Sequence, residues 1–168
     1  MAKSRKDSNR ALYLLLPIIA AIVVIALLAI TQQPVRGNVT FYTGVKEIGR
    51  IDISEDEWKL IYDMLVNRYN VTQDTRIVMF GATWCPHCHK QYLFFENNSY
   101  LERSLVLWLD QDDYATLLFN RISQLEVRKG FTRYAGAVPH ILVINKGVLE
   151  AIIVGEALDK SFWDKLLG

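Results

Sequence analysis

The chain of 168 residues holds two cysteines, Cys85 and Cys88, which stand three positions apart. They follow an apolar run, residues 77–80, and precede a segment, residues 89–95, that is predicted to be helical. A strand that delivers two cysteines to the first turn of a helix is a redox arrangement. The open backbone N–H groups and the helix dipole at that point favour thiolate over thiol. The pair therefore predicts redox chemistry.

The residues around and between the cysteines fit this interpretation. Pro86 suits a first helical turn, because its missing N–H would have no partner there. His87 adds a second positive influence on the cysteines when it is protonated. The competing interpretation is a structural disulfide, but such a bond would close only a tiny loop and stabilise little.

A metal site is the alternative from another class of function. The three histidines, His87, His89 and His140, all fall near the cysteines if the predicted fold is right, and two thiolates with one histidine suffice to hold zinc or copper. Redox tuning explains His87 without a metal, His89 is predicted to lie on the helix surface, and His140 is a candidate for substrate contact. We therefore predict no metal and no other cofactor.

The N-terminal part of the chain predicts a membrane anchor. Residues 11–33 carry no charge, and some 20 apolar residues form a helix of about 30 Å, long enough to cross a bilayer. Four basic residues precede the apolar run, so the positive-inside tendency places the N-terminus in the cytoplasm. A cleaved signal peptide is the alternative, but the run is longer than usual and Ala29-Ile30-Thr31 is a weak cleavage site.

These features divide the chain into four parts. We predict a cytoplasmic basic tail (1–10), a single-pass transmembrane signal-anchor helix in the cell membrane (11–33), a tether (34–37) and a folded domain outside (38–168). Residues 1–36 carry five basic residues and one acid, a net charge of +4, whereas the whole chain is +1, which leaves −3 for residues 37–168. A mildly acidic outer domain gives no reason to expect nucleic-acid binding.

Hydrophobic periodicity and punctuation residues predict alternating strands and helices in the outer domain. Strands are predicted at 38–42, 75–82, 104–110, 140–145 and 148–154, with a further short one at 50–53, and helices at 54–70, 85–97, 112–129 and 159–167. The apolar strands 75–82 and 104–110 are expected to be buried. The order predicts an α/β protein: a three-layer α/β/α sandwich with a mixed central sheet.

Three motifs in this order make residues 38–168 resemble the thioredoxin superfamily. The first is a strand followed by Trp84-Cys85-Pro86-His87-Cys88, and the second is Ala137-Val138-Pro139 just before a strand. The third is Asn145-Lys146-Gly147, followed by Gly155 and a helix. The resemblance implies a thioredoxin-like fold.

The resemblance also implies roles for these residues. Cys85 is similar to the exposed nucleophilic cysteine of the family and Cys88 to the buried resolving cysteine. Pro139 is similar to the family's cis-proline, with Val138 offering its backbone to a bound substrate chain. Trp84 is expected to pack beside the site. Thioredoxin carries a buried acid six positions before its first active-site cysteine, and here that position is Met79.

The active-site letters resemble the oxidising enzyme DsbA, because Pro-His lies between the cysteines and valine precedes the cis-proline. A stabilised Cys85 thiolate makes the disulfide a stronger oxidant, and disulfides persist outside the membrane. The resemblance therefore implies a thiol-disulfide oxidoreductase that introduces or isomerises disulfides in secreted or membrane proteins. A disulfide reductase of the cytochrome-maturation type is the alternative. Residues 80–88 also resemble domains that partner vitamin K epoxide reductase homologues, which implies a membrane quinone-linked oxidase as electron acceptor.

Overall fold

The structure, a computed structural model, describes residues 37–168. The predicted basic tail and transmembrane helix lie outside these residues, as do residues 34–36 of the predicted tether. The strands are β1 (Gly37–Thr43), β2 (Lys46–Ile53), β3 (Ile77–Gly81), β4 (Ser104–Trp108), β5 (His140–Asn145) and β6 (Val148–Val154). The helices are α1 (Glu55–Tyr69), α2 (Pro86–Asn97), α3 (Asp113–Arg128) and α4 (Lys160–Leu167). None of these four helices is both long and apolar enough to span a bilayer.

The six strands form one mixed sheet in the order β2-β1-β6-β5-β3-β4. Strand β3 pairs in parallel with β4 and antiparallel with β5, and β5 continues antiparallel to β6. On the far side of β6, β1 lies parallel to it and antiparallel to β2. Strand β3, which leads into the two cysteines, is therefore an interior strand of the sheet.

Helices cover both faces of the sheet. Helices α1 and α3 pack on one face, where Leu65 and Leu118 are fully buried. Helices α2 and α4 pack on the other, where Phe95 and Trp163 are fully buried and their rings meet edge to face at 4.9 Å. The structure thus confirms a three-layer α/β/α sandwich with a mixed central sheet, which is consistent with the thioredoxin-like fold that the motifs implied.

Two features of the sheet differ from the sequence prediction. The short strand expected at 50–53 is the end of the eight-residue β2, which forms a hairpin with β1. Strand β4 was expected to be buried, but only Leu107 of its five residues is. The reason is its position at the edge of the sheet, which an apolar sequence alone does not reveal.

Local sequence signals set several element ends. Ser54 caps α1 and accepts from the N–H of Glu57, whose carboxylate accepts in return from the N–H of Ser54, so the predicted capping box is present. Lys146 and Gly147 join β5 to β6 with φ of 50° and 84°. Positive φ at both positions matches the two-residue turns that continue the twist of a hairpin, and glycine adopts it at little cost.

Candidate active site

The two cysteines lie where β3 gives way to α2. Cys85 has extended backbone angles and is the N-cap of α2, and Pro86 is in the first turn, as its missing N–H predicted. The backbone N–H of Cys88 donates to the Cys85 sulfur at 3.2 Å. Both cysteines are free thiols, and their sulfurs are in direct contact at 2.6 Å. A thiol in the N-cap position thus accepts one of the N–H groups that a helix start leaves open.

The two thiols differ in environment. Cys88 is fully buried, and burial together with the hydrogen bond to Cys85 raises its pKa to about 12. At neutral pH Cys88 is therefore a neutral thiol. Cys85, which the resemblance likened to an exposed cysteine, is also buried, with 4% of its surface exposed, and its sulfur receives the N–H donor described above. This difference suits a pair in which Cys85 contacts the partner molecule and Cys88 lies behind Cys85.

The segment around Pro139 completes the site. The Val138–Pro139 peptide bond is cis, as the resemblance implied. The carbonyl oxygen of Val138 lies 3.9 Å from the Cys85 sulfur, and the carbonyl oxygen of Pro139 accepts from the N–H of Gly155 at 2.9 Å. The segment that contains Pro139 therefore lies against Cys85 and is itself hydrogen-bonded to the end of β6.

The loop that leads into the cysteines is held from its other side by the end of β4. The Asp110 carboxylate accepts hydrogen bonds from the backbone N–H and the hydroxyl of Thr83, and these bonds lower the pKa of Asp110. His89, predicted to be a surface residue, is exposed, yet its Nε2 lies 2.6 Å from the carbonyl oxygen of Thr83 and its ring lies over Trp108. These contacts fix the approach to Cys85.

Trp84, which was expected to pack beside the site, directly precedes Cys85 and has 74% of its surface exposed. The aromatic ring behind the cysteines is instead Trp108, at the end of β4. A side chain at Gly81 would have its Cβ 3.0 Å from the Trp108 ring and 3.3 Å from the Cβ of Cys88. Glycine at that position lets helix α2 and Trp108 approach the strand closely.

His87, between the cysteines, points to an acidic residue that the sequence did not single out. Its Nδ1 contacts the carboxylate of Glu156, which lies between β6 and α4, and Lys90 reaches the same carboxylate at 3.4 Å. The hydrogen bond with His87 is the largest cause of the lowered pKa of Glu156, and the nearby Lys90 lowers it further. Sixty-nine positions separate Glu156 from His87, so no local pattern could have revealed the contact.

His140, which the sequence offered as a candidate for substrate contact, lies in the core. It is fully buried on the sheet face opposite the cysteines, where its Nε2 lies 2.8 Å from a carboxylate oxygen of the equally buried Glu126. Its ring meets the ring of Phe119 edge to face. Residues alternate faces along a strand, so the side chain of the residue after Pro139 turns into the core beneath α3.

The side chains near the cysteines can be compared with those that the alternative, a metal site, would need. Among residues 37–168, no three histidine, cysteine or acidic side chains converge as a metal site would require. The nearest histidine to the cysteines in sequence, His87, directs Nδ1 to Glu156. What the arrangement can do is thiol chemistry: two buried sulfurs are in contact, one of them protonated at neutral pH, beside the backbone carbonyl of Val138.

Comparison with known proteins adds little. The chain matches no protein-family model and no curated protein. Among solved structures, a thioredoxin from Malassezia sympodialis (Mala s 13) is similar at 19% identity, over 79% of this chain and 90% of that one, with a TM-score of 0.34. Similarity at this level supports no inference about function, and the proposals below rest on the site itself.

Proposed function

We propose that the chain is a membrane-anchored, extracytoplasmic thiol-disulfide oxidoreductase that introduces or isomerises disulfides in secreted or membrane proteins. The observation that carries this proposal is the contact between Cys85 and Cys88 at the start of α2, beside the carbonyl of Val138. A redox pair needs one accessible sulfur and one protected sulfur within reach of each other.

The reaction starts from the Cys85–Cys88 disulfide. A substrate thiolate attacks the Cys85 sulfur, the disulfide breaks, and Cys88 leaves as a thiolate that takes up a proton. The raised pKa of Cys88 draws that proton to it. A second substrate thiolate then attacks the substrate sulfur of the mixed disulfide and releases Cys85. The substrate loses two electrons and gains a disulfide, and the chain is left as a dithiol.

Other parts of the sequence support the proposed membrane location and the proposed protein partners of the chain. The apolar run 11–33 with its basic flank supports an anchor whose folded domain lies outside the membrane. Substrates are proteins with free thiols or wrong disulfides. They dock their backbone on Val138, beside Pro139, with Trp84, Pro86 and His87 at the rim. A membrane quinone-linked oxidase re-oxidises the dithiol and completes the cycle.

The proposal is tested with the full-length chain in detergent. The oxidised chain is mixed with a reduced, unfolded secreted protein, and the substrate disulfides and the chain's dithiol are counted together over time. One substrate disulfide should form for each Cys85–Cys88 pair reduced, and Cys88→Ser should accumulate a mixed disulfide through Cys85 when it is presented with an oxidised substrate. Cys85→Ser is the matched inactive control.

Two results would argue against the proposal. If Cys85→Ser oxidises substrate as fast as the unaltered chain, the pair is not the redox centre. If the reduced chain instead cleaves substrate disulfides and the oxidised chain transfers none, the reductase alternative is correct.

A further inference from the structure

The contact between His87 and Glu156 reaches beyond the family resemblance. The His87 side chain is 63% exposed and the Glu156 side chain is 22% exposed. Ion pairs at such exposed positions contribute at most about 1 kcal/mol to stability, so stability alone gives little reason for this arrangement. Its position between the two cysteines, directly before Cys88 and two residues after Cys85, makes the active site the more relevant context.

The backbone on both sides of Glu156 is fixed to the active site. The N–H of Gly155 donates to the carbonyl oxygen of Pro139 at 2.9 Å. The N–H of Ala157 donates to Oε1 of the fully buried Gln91 at 2.7 Å, and the carbonyl oxygen of Ala157 accepts from Nε2 of Gln91 at 3.3 Å. The residues on either side of Glu156 are thus hydrogen-bonded, one to Pro139 and the other to helix α2.

Helix α2 presents two basic side chains to this carboxylate. His87 and Lys90 are three residues apart, a spacing that places side chains next to each other on a helix surface. Gln91, four residues after His87 on the same helix, makes hydrogen bonds to Ala157, the residue after Glu156. Because the buried Gln91 joins α2 to Ala157, the backbone segments that carry His87 and Glu156 are held next to each other.

The Nδ1 atom of His87 faces the carboxylate of Glu156, so any hydrogen that this nitrogen carries is directed to Glu156. A donor that is engaged by a carboxylate is not available to a thiolate, and the negative charge of the carboxylate offsets the positive charge of a protonated ring. We propose that Glu156 is a positioning residue that holds His87 off Cys85 and so weakens the oxidising strength of the Cys85/Cys88 pair. This inference rests on the proposed redox function and adds a residue that sets its strength.

The consequence concerns the direction of the proposed function. A histidine free to stabilise the Cys85 thiolate stabilises the reduced form and makes the disulfide a strong donor. With Glu156 in place the disulfide is a milder oxidant than the letters Cys-Pro-His-Cys imply. With a milder oxidant, the formation and the release of the mixed disulfide at Cys85 are more nearly balanced. This balance suits isomerisation of disulfides as well as their donation.

The test is an equilibrium of the full-length chain in detergent with glutathione, in which one chain disulfide and two glutathione thiols give the chain dithiol and one glutathione disulfide. Glu156→Gln keeps the size of the side chain and removes its charge. We expect its equilibrium constant to move about tenfold towards the reduced chain, which is about 30 mV in reduction potential. Asp63→Asn removes the carboxylate of an exposed ion pair with Lys59 on α1 and is the matched control, expected to show no shift.

A second pair of variants separates the route through His87 from a direct effect of charge. In a His87→Gln background, Glu156→Gln should shift the constant by less than twofold. The inference is overturned if Glu156→Gln leaves the constant unchanged or moves it towards the disulfide, or if the full shift persists without His87. If Glu156→Gln fails to fold, Glu156→Asp, which shortens the reach by one methylene, replaces it with the same expected direction.

Failure of this inference and failure of the proposed function give different results. The glutathione equilibrium requires no protein substrate and no membrane partner. A chain that oxidises no substrate protein but shows the His87-dependent shift would refute the proposed function and leave the role of Glu156 standing. A chain that oxidises substrate but shows no shift would refute the role of Glu156 and leave the proposed function standing.

Discussion

The sulfur of Cys85 lies 3.9 Å from the carbonyl oxygen of Val138, although the two residues are 53 positions apart in the chain. This contact joins the start of α2 to the segment before β5, and the pairing of β3 with β5 produces it: Phe80 lies opposite His140 in that ladder. The Cys85 sulfur and the Val138 carbonyl are therefore held together by two neighbouring strands of one sheet.

The first prediction concerns which cysteine reacts. With a pKa of about 12, the thiolate fraction of Cys88 at neutral pH is about a thousandfold below that of a thiol with the ordinary value of 9.0. We expect iodoacetamide at pH 7 to label Cys85 and leave Cys88 unlabelled in the reduced chain. Mass spectrometry of the digested protein gives the site. In a Cys85→Ser variant, labelling of Cys88 should stay slow, and rapid labelling there would contradict the assignment of roles.

The second prediction concerns alkaline pH. The folded, reduced chain holds the Cys88 proton more tightly than the unfolded chain, because its pKa rises from 9.0 to about 12 on folding. The stability from this site is complete below about pH 9 and is lost as the pH rises towards 12. Urea unfolding of the reduced chain should show a midpoint that falls between pH 9 and pH 11.

Tyr100 contributes to the same loss, since burial and the hydrogen bond to Asp164 raise its pKa to about 12. The Cys88→Ala variant isolates the contribution of Cys88 to this loss of stability. Its urea unfolding midpoint should fall less between pH 9 and pH 11 than that of the unaltered chain. An equal fall in both proteins would show that Cys88 is not the group responsible.

The third prediction concerns the buried pair of Glu126 and His140. Their atoms approach to 2.8 Å, yet none of their side-chain polar atoms has a well-aligned hydrogen-bond partner among residues 37–168. Removing one partner leaves a buried polar group unpaired, so Glu126→Leu or His140→Leu alone should lower the free energy of unfolding by about 3–5 kcal/mol.

The double variant Glu126→Leu, His140→Leu is the informative comparison. Replacement of both partners by apolar groups is often close to neutral, so the double variant should be more stable than either single variant. Chemical denaturation of all four proteins measures this, and costs that simply add would contradict a coupled pair.

The fourth prediction concerns Gln91. Its fully buried amide makes both hydrogen bonds to the backbone of Ala157 and joins α2 to the segment before α4. Gln91→Ala leaves the Ala157 N–H unpaired and opens a small cavity, so we expect a loss of about 2–4 kcal/mol in unfolding free energy. Gln124→Ala, at an exposed position of α3, is the control and should change stability by less than about 0.5 kcal/mol. Equal losses in the two variants would refute the role of Gln91.

What the sequence could predict depended on whether the signal was local. The start of α2 at Cys85 and Pro86, the capping box at Ser54 and the turn at Gly147 are each decided by a few neighbouring residues, and all were confirmed. The layers followed from hydrophobic periodicity, because each element must bury its apolar face.

What the sequence missed depends on contacts between distant segments. Glu156 and Gln91 reach the active site only after β6 and α2 are packed, and nothing near either residue in the chain signals a partner. His140 was a candidate for substrate contact because it follows Pro139, but the alternation of side chains along β5 turns it to the opposite face, where Glu126 lies. The edge position of β4 likewise follows from strand order.

The most direct test of the central claim is the reduction potential of the Cys85/Cys88 pair in the full-length chain, measured by equilibration with glutathione. A disulfide donor or isomerase whose His87 is restrained by Glu156 should lie between about −180 and −120 mV, the range from protein disulfide isomerase to DsbA. A value near −270 mV, that of thioredoxin, would contradict the claim and assign the chain to disulfide reduction.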